Sequence, residues 1–144
     1  MVFSFLRFSV YAALLSTTSA LPLDDLSKRA TIQPILNGQN FPDPGIIKTD
    51  AGWHAFSTNA IVNGKRVHMQ KAFTPDYRNW QFTAGDDALP NLPGWVDPAN
   101  PRVWAPDPVQ LNDGSFIMYY TAALKSNTRL HCLSYAKSRN VAGP

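Results

Sequence analysis

The sequence predicts an all-β fold assembled from β-propeller blades, and three observations carry that expectation. The tripeptide Pro-Asp-Pro occurs twice, at Pro42-Asp43-Pro44 and Pro106-Asp107-Pro108, 64 residues apart. Each copy opens the same pattern, GIIKTDAGWHAFST after the first and VQLNDGSFIMYYTA after the second. Both read as a short apolar strand, an Asp/Gly turn, and a second strand rich in aromatic and β-branched residues. An Asn-Gly pair at Asn63-Gly64 adds a hairpin signal inside the first unit. A repeat of this length with several strands per unit is the sequence mark of a propeller blade.

The chain begins with a targeting pattern. Arg7 supplies a positive charge, an apolar stretch runs from Phe8 to Leu15, and Thr18-Ser19-Ala20 ends on a small residue. Residues 1–20 therefore read as a secretory signal peptide. The apolar core is too short for a spanning helix, which disfavours the alternative of a membrane anchor. Residues 21–29 read as a short pro-segment or linker ending in the dibasic Lys28-Arg29, so Ala30 is the expected mature N-terminus. Residues 30–144 are then the N-terminal part of a propeller domain, expected extracellular and free of the membrane once the signal is removed.

Gly45 to Lys48 reads as the first strand of unit one. Trp53 to Thr58 reads as the second, with Trp53, Ala55 and Ser57 on one face and His54, Phe56 and Thr58 on the other. After the Asn-Gly hairpin, Arg66 to Phe73 is the third strand. Asp76 to Trp80 is a turn, and Gln81 to Thr83 a short fourth strand. Four antiparallel strands complete a blade. The stretch AGDDALPNLPGWVDPANPR that follows holds four prolines and two glycines, so it reads as a connector, with Trp95 as its buried anchor. In unit two, Val109 to Leu111, Ser115 to Ala122 and Leu130 to Lys137 are three strands, and the fourth is missing. Two blades cannot close a propeller and leave bare edges. The sequence is therefore expected to be the N-terminal portion of a longer gene product.

Charge excludes one class of function. From Ala30 onward ten Lys and Arg face eight Asp, a net charge of +2, and the basic residues are scattered. That pattern does not argue for nucleic-acid binding. All ten acidic residues are Asp, and Glu is absent. Cys132 is the sole cysteine. In an exported chain it either waits for a disulfide partner or sits as a buried free thiol. His54, His68 and His131 lack metal-ligand spacing and read as strand residues. Neither a Gly-x-Ser-x-Gly elbow nor a phosphate loop is present.

The repeated Asp carries the chemistry. In a propeller the first strand of each blade lies innermost, so Asp43 and Asp107 would face one central pocket from adjacent blades. A carboxylate there can act as a general base or bind a sugar hydroxyl, and glycoside cleavage commonly takes two carboxyl groups. The bland alternative is an Asx turn that starts a strand. Two copies in register, beside Trp104, favour the functional reading.

These motifs resemble glycoside hydrolase family 43, whose members are five-bladed β-propellers. Phe41-Pro42-Asp43-Pro44-Gly45-Ile46 is similar to the family's opening Asp-Pro-x-Ile motif, and Val103-Trp104-Ala105-Pro106-Asp107 to its Trp-Ala-Pro-Asp motif. Asp76-Tyr77-Arg78-Asn79-Trp80 is similar to the turn that closes a blade, and Ser134-Tyr135-Ala136-Lys137-Ser138 to the segment before the third blade. The resemblance implies inverting hydrolysis of arabinose- or xylose-containing plant cell-wall polysaccharides by a secreted enzyme, monomeric at full length and without cofactor or assigned metal. It implies that Asp43 is the general base and Trp104 an aromatic against the sugar. Asp107 does not match a catalytic position and is read as substrate-binding, with Asn59 as a further contact. The second catalytic Asp and the acid Glu belong to later blades, so this chain by itself is expected to be inactive. The alternative is a non-catalytic carbohydrate-binding or degenerate propeller protein.

Overall fold

Among the described residues, 34–143, the computed structural model contains nine strands and no helix. The expected signal peptide, pro-segment and mature N-terminus lie outside the described residues. The strands are β1 (Gly45–Thr49), β2 (Gly52–Ser57), β3 (Ala60–Val62), β4 (Lys65–Val67), β5 (Gln70–Thr74), β6 (Gln81–Phe82), β7 (Trp104–Gln110), β8 (Phe116–Leu124) and β9 (Asn127–Ser138). They form a four-stranded sheet in the order β1-β2-β5-β6, a small β3-β4 hairpin, and a three-stranded sheet in the order β7-β8-β9. All pairings are antiparallel. The blade-like units expected from the repeat are thus one sheet of four strands and one of three.

Two of the departures from the expected strands have a visible physical reason. The expected third strand, Arg66 to Phe73, is broken at His68-Met69. There the backbone N–H groups of both residues donate to the Asp87 carboxylate, at 2.8 and 3.0 Å, instead of to a ladder. Asp87 also accepts from Leu89 N–H at 2.9 Å, so one carboxylate staples the connector to the bend. The second correction concerns β7, which begins at Trp104 rather than Val109 and carries Pro106 and Pro108 within it. Proline lacks a ladder donor and is tolerated because β7 is an edge strand, with a register shift between Trp104 and Asp107.

The core lies between the two sheets. Ile47 of β1, Phe56 of β2, Met69, and Tyr120 and Ala122 of β8 meet Ala88, Leu89, Val96 and Val103 of the connector. Phe116 and Met118 pack against this cluster, whereas Tyr119, on the other face of β8, is 39% exposed. Trp95 anchors the connector against the same cluster, and Val96 bridges to Leu124. The opposite face of the second sheet is bare, with Leu133 and Tyr135 73% and 62% exposed. Asp76 shapes the turn between β5 and β6: its carboxylate accepts from the Thr74 hydroxyl, the Arg78 and Asn79 N–H groups and the Asn79 amide. These bonds, the backbone ones foremost, hold its pKa well below the usual carboxylate range. Cys132 is a free, half-buried thiol.

Candidate functional site

The two Pro-Asp-Pro segments meet where β1 approaches β7. A side chain at Gly45 would collide with the carbonyl oxygen of Pro106 and come within 2.7 Å of Pro108 Cδ. Gly45 follows Pro44, and Pro106 and Pro108 flank Asp107, so this close approach brings the Asp43 and Asp107 segments side by side. Both aspartates are exposed. Only glycine allows the two backbones this separation.

Asn59 and Trp104 join the same end of the sheets through the backbone. Asn59 N–H donates to the carbonyl of Val103 at 2.9 Å, which ties the exit of β2 to the start of β7. Asn59 Oδ1 is buried and has no protein partner. Trp104 is 38% exposed. Its indole stacks on His131 of β9, with centroids 4.4 Å apart and planes 22° from parallel. Thr121 of β8 donates its hydroxyl to the Trp104 carbonyl at 3.1 Å, which fixes the backbone of that residue. Trp104, on the same strand that carries Asp107, thus has its indole supported by His131.

Asp43 differs from the other turn aspartates. Asp76, Asp97 and Asp113 each accept from the backbone N–H two residues on, at Arg78, Ala99 and Ser115. Those are Asx turns. The Asp43 carboxylate instead accepts the hydroxyl proton of Thr58, fifteen residues away, at 3.0 Å through Oδ2. Asp43 also has φ of 52°, in the left-handed region, immediately before a proline. Sequence reasoning missed Ser57, Thr58 and His131 as neighbours of this site. A Ser-Thr pair at a strand end is a weak signal, and the Trp104–His131 stack joins distant positions that no local pattern links.

No protein-family model matches the chain. In sequence it is 29% identical over 124 residues to the extracellular endo-α-(1→5)-L-arabinanase of Thermotoga petrophila, covering 78% of this chain and 24% of that protein. It is 27% identical over 124 residues to the extracellular endo-α-(1→5)-L-arabinanase 2 of Bacillus subtilis, with the same coverage of 78% and 24%. In structure it superposes on the GH43_1 enzyme of Xanthomonas citri complexed with xylotriose, with a TM-score of 0.59 and 16% identity, covering 84% of this chain and 36% of that one. The chain therefore spans about a quarter of the length of the curated relatives it matches. It is similar in sequence to arabinanases, and its all-β fold is like part of a propeller, superposing on a portion of a GH43_1 enzyme.

Proposed function

We propose that this chain is the N-terminal part of a secreted, inverting glycoside hydrolase that cleaves arabinose- or xylose-containing polysaccharides outside the cell. The observation that carries the reading is the likeness in sequence to two extracellular arabinanases, spread over 124 residues. The site geometry supports it. Asp43 is the general base, taking a proton from the water that attacks the anomeric carbon on the face opposite the leaving group. Trp104 offers its free face to the sugar ring. Asp107 accepts hydrogen bonds from sugar hydroxyls, and Asn59, tied by its N–H to Val103 beside Trp104, is a further contact.

The chain contains no Glu, and its two site aspartates do not provide a general acid in this scheme. The acid and the second catalytic Asp come from further blades of a longer enzyme, which also cover the bare Leu133 and Tyr135 face. Inverting enzymes hold their two carboxyl groups apart to admit the water, at about 6.5–9.5 Å. The test compares arabinan and xylan hydrolysis by the 144-residue chain and by the longer enzyme. The chain alone should give no turnover above background, and the longer enzyme should be active. Turnover by the chain alone would remove the need for an acid from elsewhere. An inactive longer enzyme that still binds the sugar would favour the non-catalytic reading.

A further inference from the structure

We propose that Ser57 and Thr58 form a clamp that holds Asp43 in its reactive conformation, as positioning residues for the base. This rests on the reading of Asp43 given above. The left-handed φ of 52° at Asp43 is uncommon for a residue with a side chain, and the following Pro44 restricts it further. Such a conformation persists only where the surroundings hold it.

The holding groups come from one dipeptide at the exit of β2. Ser57 Oγ donates to the carbonyl of Pro42, and Thr58 N–H donates to the same oxygen at 3.4 Å. Thr58 Oγ1 donates to Asp43 Oδ2 at 3.0 Å. The peptide before Asp43 and the carboxylate itself are therefore both gripped. The clamp in turn is anchored in the sheet. Ser57 is fully buried and pairs with Gln70 of β5, and Gln70 Nε2 donates to the Thr58 carbonyl at 2.9 Å. With Oδ2 engaged by Thr58, the carboxylate plane is set and Oδ1 is the oxygen offered to a water. Asp76 and Asp113 also accept a hydroxyl, from Thr74 and Ser115, but each of those donors lies only two residues away, whereas Thr58 reaches Asp43 from fifteen.

The test has two arms. In the 144-residue chain with ¹³C-labelled aspartate, Thr58→Val should shift the Asp43 carboxyl resonance and leave those of Asp76, Asp97 and Asp113 in place. Thr58→Ser, which keeps the hydroxyl, should restore it, with the urea midpoint unchanged in both variants. In the longer enzyme, Thr58→Val should lower kcat about tenfold to a hundredfold, the scale of a misplaced catalytic group. KM should stay within about twofold, since ground-state binding is untouched. Thr58→Ser should recover the rate. Ser57→Ala, which releases Pro42, gives a second reading of the clamp if Thr58→Val fails to fold. An unmoved Asp43 resonance, or full activity in Thr58→Val where Asp43→Asn is dead, overturns the clamp and leaves the base assignment standing. Full activity in Asp43→Asn overturns the base assignment instead.

Discussion

Replacing Gly45 with alanine tests how the two blades are joined. An added Cβ would meet the Pro106 carbonyl and lie 2.7 Å from Pro108 Cδ. Carbon atoms at rest sit about 3.5–4.0 Å apart, so β1 and β7 must part by roughly 1 Å. Overpacking of that kind costs about 1–3 kcal/mol. Gly45 has no positive φ. The alanine therefore also restricts the unfolded chain, which returns about 0.4–1 kcal/mol. The net loss should be on the order of 1–2 kcal/mol, a fall in Tm of about 4–8 °C per kcal/mol for a domain near 100 residues. Gly94 is the control, since its Cβ would meet nothing within 4 Å and its φ is not positive. Gly94→Ala should be neutral or slightly stabilising. Urea unfolding of both variants, followed by tryptophan fluorescence, measures the difference. Equal midpoints for Gly45→Ala, Gly94→Ala and the parent would refute the close approach on which the neighbouring of Asp43 and Asp107 rests.

Two further predictions concern the frame around the site. Asp87→Ala strands the N–H groups of His68, Met69 and Leu89, and His68 Nδ1, 2.9 Å from the carboxylate, loses a partner. It should cost about 2 kcal/mol or more in urea unfolding, and a loss under about 0.5 kcal/mol would contradict the staple. Burial, and secondly the charge of Lys71, push the pKa of His54 below its ordinary 6.5. The unfolded chain then binds more protons as the pH drops past 6.5, so stability falls from that point down through the folded pKa. Urea midpoints at pH 7.5 and 5.5 should show this fall in the parent and a smaller one in His54→Gln. Identical pH dependence in the two would remove His54 from the account.

Much of the fold was legible because its signals are local. The Asn63-Gly64 pair does close the β3-β4 hairpin, and Asp76 does head the turn before the fourth strand of the first sheet. The strand expected over Ser115 to Ala122 is present as β8, with Phe116, Met118 and Tyr120 toward the core and Tyr119 exposed. The break at His68-Met69 was not legible, because its cause is Asp87, eighteen residues or more down the chain. The early start of β7 was hidden by its prolines, which argue against a strand until the strand is known to be an edge. At the site, the repeat pointed to Asp43 and Asp107 but not to what holds them. The clamp bond at Asp43 spans fifteen residues, and the stack under Trp104 joins β7 to β9. Contacts of that range follow from packing and leave no periodic trace in sequence.

The central claim is that Asp43 supplies the base for glycoside cleavage, and arabinan hydrolysis by the longer enzyme with Asp43→Asn tests it most directly. The substitution keeps the shape of the side chain, the Thr58 contact and the fold, but removes the proton acceptor. The account predicts a fall in kcat of about 10²–10⁴-fold at unchanged urea stability, the usual contribution of a general base. Undiminished turnover by a folded Asp43→Asn enzyme would contradict it.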